Sequence, residues 1–459
     1  MTDDDGARPA EPGWVAHAMW WHVYPLGFVG APVRPAEGAE GAGGTAVVHR
    51  LGRIEAWLDH VVALGLNGLL LGPVFASSTH GYDTVDHLRV DPRLGDEADL
   101  QRLVDAAHAR GVRVLLDGVF HHVGREHPAV RALEAEGPGS PAAALFRVDR
   151  DAVDPATWRP GDPVPVAVFE GHDQLVALDH GSPAVEDLVV EAMTHWLDRG
   201  VDGWRLDAAY AVPPAFWARV LPRVRERHPE AWFTGEVIHG DLPGIVAAST
   251  VDSVTQYELW QGIWHAIADE NLFELAHALG RHAQFLRSFV PSTFVGNHDV
   301  TRIADAVGDR HVPHALAVLC TVAGTPSFYA GDELGLHGVK EERLGGDDAV
   351  RPELAERPPG PQDLSAEAAA VLAVTRELVA LRRRRPWLRT AVTDVVQVAN
   401  PTIVLRTARD ADAVVTVLHL GDGEVTVPAA GSRQVLAGTG VLAGDVVRVP
   451  AHGWAVLGS

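Results

Sequence analysis

Between about residue 18 and about residue 384, short apolar runs alternate with amphipathic stretches, and this alternation most limits the fold. Strand-length runs fall at 20–28, 67–74, 112–120, 203–208, 232–237, 253–257, 292–296 and 327–329. Helical patterns separate them at 49–64, 97–110, 184–199, 215–227, 272–286, 311–322 and 366–385. Several runs are apolar on both faces, as in VRVLL at 112–116, which suits a parallel sheet covered by helices. Eight strand–helix units in about 360 residues predict an α/β fold, a (β/α)8 TIM barrel with insertions.

One connection is far too long for a simple turn. Residues 124–179 follow the third strand, show no clean helical period, and carry PGSPAAALF, DPATW and RPGDPVPV. A loop of that length reads as a subdomain or an active-site wall. Within it, Trp158 and Phe169 suit either ligand-stacking walls or packing of the insertion. A Pro-rich polar loop at 345–363 precedes the last helix. After LRRRRPW the pattern becomes short period-two runs with Gly and Asp turns, such as VTDVVQVA, TIVLRTA and AVVTVLHL. These predict a small all-β domain. The expected division is a barrel from 1–123 and 180–386, an inserted subdomain at 124–179, and a C-terminal β domain at 387–459.

Composition narrows the partners. The 459 residues carry 38 Lys and Arg against 61 Asp and Glu, a net charge of −23. That balance argues against a nucleic-acid or anionic-membrane surface and admits a neutral ligand easily. The one cysteine, Cys320, excludes an internal disulfide framework and a cysteine-rich zinc site. It sits in an apolar helix and reads as a small core residue. The start, MTDDDGARPAEPG, is acidic and Pro/Gly-rich, the opposite of a secretory leader, so the cytoplasm is expected. The uncharged stretches 61–79 and 315–331 are interrupted by Gly, Pro or polar residues and are not membrane spans. The charged run 382–385 suits the end of a helix and is expected to bridge to the β domain. Oligomeric state is left open.

The chemistry gathers at strand ends. The third run ends in Asp117-Gly-Val-Phe-His121-His122, and the fourth in Gly203-Trp-Arg205-Leu-Asp207. The fifth ends in Gly235-Glu236 and the seventh in Gly296-Asn297-His298-Asp299. On an eight-stranded barrel these ends converge on one pocket, whatever their separation in sequence. A single acidic residue after a strand reads as a helix cap. Four such sets, with Arg and His among them, do not.

These segments, in this order, resemble the α-amylase superfamily of retaining glycoside hydrolases (family 13). LLLGPVF follows the second strand; HGYDTVDH (80–87), DGVFHH (117–122) and HDQLVALD (172–179) come next. DGWRLDAA (202–209), FTGE (233–236), FVGNHD (294–299) and GTPSFYAGDELG (324–335) complete the set. The insertion corresponds to the family's B domain and the β tail to its C-terminal β sandwich. The resemblance implies Asp207 as nucleophile, Glu236 as general acid/base, and Asp299 as a third carboxylate clamping sugar hydroxyls. Retention needs two carboxyls about 5–5.5 Å apart, one ionised and one protonated. Arg205, two residues before Asp207, points to the same side by strand alternation and would keep it ionised. His122 and His298 would donate hydrogen bonds to the same sugar, and Tyr82 would stack on its apolar face. Asp117 is expected either to support the site through the Arg or to contact the sugar, and Arg205 is grouped with the substrate-binding residues. Asp332 and Glu333 suit either a helix cap or the site wall, and His80 and His87 read as polar loop residues.

Three departures refine the expectation. Where calcium-binding members have Asn, this chain has His121, and imidazole is a poor calcium ligand, so no metal and no cofactor are expected. The motif closing the insertion ends Leu178-Asp179 in place of Leu-Asn. The Lys-His that supports the leaving-group side in many endo-amylases is Ala208-Ala209-Tyr210-Ala211 here. The leading expectation is hydrolysis of α-glucosides, with soluble maltooligosaccharides as the small-molecule partner. Alternatives are a glucosyl transferase or isomerase, trehalose-synthase-like, sharing the same intermediate, and a non-catalytic carbohydrate-binding or scaffold relative. A metal-dependent hydrolase would want His-x-His on the first strand, which Trp21-His22-Val23-Tyr24-Pro25 does not supply.

Overall fold

A computed structural model describes residues 11–34, 46–343 and 345–458. Eight strands form one parallel sheet: β1 (Trp20–Val23), β2 (Gly68–Leu71), β3 (Arg113–Gly118), β4 (Gly203–Leu206), β5 (Trp232–Gly235), β6 (Ser253–Val254), β7 (Ser292–Phe294) and β8 (Thr325–Tyr329). Their order is β6-β5-β4-β3-β2-β1-β8-β7. A parallel bridge from Thr255 to Ser292 closes the ring between β6 and β7. The expected barrel is the fold.

Element ends differ from expectation for local reasons. The run at 20–28 leaves the sheet at Val23 because Pro25 opens a one-turn helix, Pro25–Phe28. Proline brings a helical φ and no N–H for a ladder. The single helix expected at 49–64 is two pieces, Gly52–Glu55 and Leu58–Leu64. The sixth strand keeps two residues, since the Gln256 side chain accepts the Leu259 N–H and caps a helix, Tyr257–Ala268. A hairpin absent from the sequence reading, Phe75–Ser77 with Thr84–Val90, follows β2 and carries Tyr82 in its loop.

The barrel floor is a layer of Trp20, Leu70, Leu115 and Trp232. The two indoles stack at 5.7 Å, and Gly68 makes the room: a Cβ there would lie 2.2 Å from the Trp20 ring. A short 3-10 turn, Gly13–His17, covers this layer through Val15. Glu11 accepts hydrogen bonds from Trp232 Nε1 at 3.0 Å and from Arg389 at 2.6 Å. Arg382 and Arg383 serve the same floor, while Arg385 feels the charge of Asp412 in the β domain. Buried Arg382 donates to the carbonyls of Cys320, Val322 and Gly324, and Arg383 to those of Gly65 and His17. Loop and helix-end carbonyls lack partners of their own, which is why the guanidinium groups turn inward. Cys320 is fully buried, and burial pushes its thiol up to about 12.

The insertion after β3 holds a three-stranded antiparallel sheet of His122–Gly124, Val168–Phe169 and His172–Ala177. Trp158 packs against Gly137, at the end of the helix Pro128–Glu136, and so belongs to the insertion's own interior. The tail forms a five-stranded antiparallel sheet of β9 (Val392–Ala399), β10 (Thr402–Arg409), β11 (Asp412–His419), β13 (Gln434–Gly438) and β16 (Trp454–Gly458). A three-stranded sheet of β12 (Val425–Pro428), β14 (Val441–Ala443) and β15 (Val446–Val449) faces it. Period-two alternation gives the larger sheet two apolar faces. Val404, Val415, Val417 and Leu457 meet Val427, Val447 and Val449 across the sandwich. Ile403, Leu405, Val414 and Val456 join the barrel core instead. Among the described residues, no helix is long and apolar enough to cross a membrane.

Candidate active site

Arg205, on β4, organises the centre. Its Nη1 reaches both oxygens of Asp117 on β3, at 2.7 and 2.6 Å, and Oδ1 of Asp207 at 3.2 Å. Its Nη2 pairs with Glu236 Oε1 at 2.8 Å. Ladder bonds fix the last two residues: the Asp207 N–H donates to Gly118 and the Glu236 N–H to Leu206. Glu236 also accepts from the Ala208 N–H at 3.0 Å and from the Tyr257 hydroxyl at 3.1 Å. Asn297 in turn donates to that hydroxyl at 3.0 Å. All four charged groups are buried. Burial pushes the Asp207 carboxyl well above its usual range, the Glu236 carboxylate pushes it further, and Arg205 opposes both. Burial raises Asp117 too, again against Arg205. One guanidinium facing three carboxylates leaves room for a proton among them, held by the group and not by one residue.

Asp299 faces this cluster from beyond β7, its side chain 29% exposed. Burial alone would raise its pKa, but His298, Arg351 and Arg205 outweigh that and hold it well below the usual carboxylate range. Arg351 donates to Asp299 Oδ1 and to the His298 carbonyl, both at 2.8 Å, and lies over the Tyr24 ring at 4.7 Å. His298 is fully buried between the near-parallel rings of Tyr24, at 5.8 Å, and Tyr82, at 5.5 Å. Its Nε2 meets the Tyr82 hydroxyl and, at 3.0 Å, Asp299 Oδ2. The Tyr82 hydroxyl also donates to Asp117 at 3.2 Å. His22 stands edge-on to His298 at 5.0 Å, and burial keeps it neutral.

The eight residues expected from sequence therefore meet in one cleft. Their contacts are more specific than expectation. His122 spends its Nε2 on the Tyr82 carbonyl at 2.9 Å and stacks on Phe169 at 4.7 Å. His298 and His122 thus anchor Tyr82 from both its ends. His121 packs on Phe169 at 4.6 Å, with its Nδ1 3.3 Å from that of His122. Burial lowers His121 to about 3. An imidazole in aromatic surroundings is a poor fit for a hard, oxygen-seeking cation. His80 gives its carbonyl to the Tyr24 hydroxyl, and His87 is buried against the Val119 carbonyl.

Glu333 Oε2 accepts the N–H of Gly331, which opens the short turn Asp332–Leu334, and neither Asp332 nor Glu333 joins the Arg205 cluster. Arg302 pairs with Asp332 at 2.7 Å, and His60 with Glu333 at 3.1 Å. Burial pushes Asp332 up to about 6 despite Arg302. Removing one member of a buried pair strands the other charge. Asp332→Ala is therefore expected to cost about 3–5 kcal/mol in urea unfolding. A loss under about 1 kcal/mol, the surface-pair value, would contradict this account.

Sequence reasoning missed Arg351, Tyr24 and Tyr257. Tyr257 stands just past a strand end, where the rule that found the carboxylates also applies. Arg351 arrives from the 345–363 loop, which no periodicity locates.

Comparison with known proteins agrees with this geometry. Residues 50–368, more than two thirds of the chain, match the alpha amylase catalytic domain. The chain is 31% identical over 346 residues to a cyclomaltodextrinase of Bacillus sp., covering 71% of this chain and 61% of that protein. It is 30% identical over 357 residues to neopullulanase 2 of Thermoactinomyces vulgaris, covering 72% and 58%. It thus spans about three fifths of the length of these relatives. The solved complex of the Arthrobacter globiformis cyclic α-maltosyl-(1→6)-maltose hydrolase with cyclic α-maltosyl-(1→6)-maltose superposes with a TM-score of 0.79. That match has 25% identity over 98% of this chain and 100% of that one. With eight parallel strands, the ordered motifs at their ends and this match, the chain belongs to the α-amylase family of glycoside hydrolases.

Proposed function

We propose that the protein is a retaining α-glycosidase that cleaves α-glucosidic bonds in soluble α-glucans and maltooligosaccharides. One observation carries the reading: Asp207 and Glu236, on adjacent strands, share the Arg205 guanidinium, and Asp299 faces them. A shared guanidinium suits the close carboxyl spacing of retention, about 5–5.5 Å, better than the wider spacing of inversion. Asp207 attacks the anomeric carbon and forms a glycosyl ester while Glu236 gives its proton to the departing oxygen. Glu236 then takes a proton from water, which attacks the ester and frees Asp207. Asp299, held ionised by Arg351, binds sugar hydroxyls and favours the distorted ring of the oxocarbenium-like transition state.

The reading needs no metal or cofactor, which the aromatic setting of His121 supports. It places the enzyme in the cytoplasm, as the lone buried Cys320 and the acidic charge suit, with no nucleic-acid or membrane partner. The names of the relatives, which act on related glucans, point the same way. Incubation with maltooligosaccharides is expected to release reducing sugar as the α-anomer, followed by proton NMR before mutarotation. First appearance of the β-anomer would overturn retention, and no release would overturn the glycosidase reading.

A further inference from the structure

The donor-sugar residues Tyr82, His122, His298, Asp299 and Arg351 come from β3, β7 and the loops after β2 and β8. The opposite flank of Glu236 is built differently. Ala208 adopts a left-handed backbone, φ 44°, unusual for a residue with a Cβ. This kink sends the chain into a short turn, Ala209–Ala211, and stands Tyr210 beside the acid/base residue. The Tyr210 N–H donates to the Glu236 carbonyl at 3.2 Å. Its ring lies 5.7 Å from that of His239, next to Ile238, which is 46% exposed.

The Tyr210 hydroxyl does not point freely into solvent. It donates to Glu170 at 2.8 Å. Glu170 and Gly171, at φ 47° and 80°, form the two-residue turn of the insertion's hairpin. Two consecutive left-handed residues are what a tight hairpin of this hand requires. The preceding residue, Phe169, stacks on His122. The hairpin is therefore tied to the loop after β4, beside Glu236. On the glycosidase reading the leaving group takes its proton from Glu236, so it departs beside this tie.

We propose that the Tyr210–Glu170 bond is a gate on the leaving-group side, selecting short maltooligosaccharides over long α-glucan chains. This rests on the glycosidase reading above and concerns what lies beyond the scissile bond. A carboxylate acceptor makes this bond stronger than a neutral one, so it biases the hairpin toward the tied position. A sugar with a short arm fits beneath it, whereas a long arm must break the bond to pass. The competing account is a purely structural tie that holds the insertion in place.

The test compares wild type with Tyr210→Phe, Glu170→Ala and Glu170→Gln, measuring kcat/KM for maltotriose and for a long amylose. Tyr210→Phe and Glu170→Ala are expected to raise the long-to-short ratio about three- to tenfold, the worth of one hydrogen bond. Glu170→Gln keeps an acceptor oxygen and is expected to keep the wild-type ratio. Equal ratios in all four proteins, with hydrolysis intact, overturn the gate and leave the glycosidase reading standing. A parallel fall on both substrates in the first two variants supports the structural tie and also overturns the gate. Wild type inactive on both substrates overturns both readings together.

Discussion

Glu236→Gln is expected to lose about 10²–10⁴-fold in kcat on maltooligosaccharides, because an amide cannot donate the proton that the departing sugar oxygen needs. The loss should depend on the leaving group. Fluoride leaves without protonation, so α-glucosyl fluoride should transfer its glucosyl group to Asp207, with loss of fluoride, nearly as fast in the variant, with breakdown of the ester then limiting. Azide needs no base to attack that ester, and it should restore turnover and yield α-glucosyl azide. Asp207→Asn, by contrast, should lose activity on both substrates, since no leaving group replaces a missing nucleophile. Steady-state rates on the two substrates, with and without azide, check the assignment. Equal losses on maltotriose and fluoride for Glu236→Gln, with azide present, would remove it from the acid role.

Arg205→Met should damage both fold and activity. The side chain is 4% exposed and stands between three buried carboxyls. Stranding them is expected to cost about 3–5 kcal/mol in urea unfolding. Activity should fall at least about 10²-fold through loss of placement alone. The stability deficit should also depend on pH. Asp117 and Asp207 are already pushed above their usual range by burial, and without Arg205 they rise further. A carboxyl raised in the folded state contributes stability below its unfolded pKa, near 3.9, and loses it as pH rises through the folded value. The gap between variant and wild type should therefore be wider at pH 8 than at pH 5. Equal gaps would mean that no proton is taken up by the cluster. Arg205→Lys should recover part of the stability and little of the rate, because a point charge cannot span three carboxyls as the planar fork does.

The barrel and the carboxylates gathered at its mouth were legible because both follow from short-range pattern. An apolar run flanked by helical periods marks a strand, and its last polar residue marks the pocket. Asp117, Arg205, Asp207, Glu236 and Asp299 all obey that rule. Arg351 does not, since its approach to Asp299 depends on how a loop folds back over the barrel mouth. The roles of the histidines were less legible than their positions. His122 and His298 were expected to face sugar, yet each is engaged by Tyr82 or its neighbours. Which atom a ring nitrogen meets depends on side chains from distant loops. The arginine run shows the same limit: its helical position was evident, but its partners were the carbonyls beneath the barrel.

The floor of the barrel bears on how the chain must be made. Glu11 meets Arg389 across 378 residues, and His17 meets Arg383 across 366. A ribosome adding about 5–20 residues per second delivers Arg389 only about 20–75 s after Glu11. Until β8 is made, at residues Thr325–Tyr329, β1 has β2 on one side and nothing on the other. The centre of the sheet has no such wait, because β5 finds β4 and β6 within a short stretch of chain. An unpaired edge is where strands of other chains attach. The first strand is thus the place where a nascent molecule of this kind most needs shielding, and where crowded synthesis would most readily divert it into aggregates.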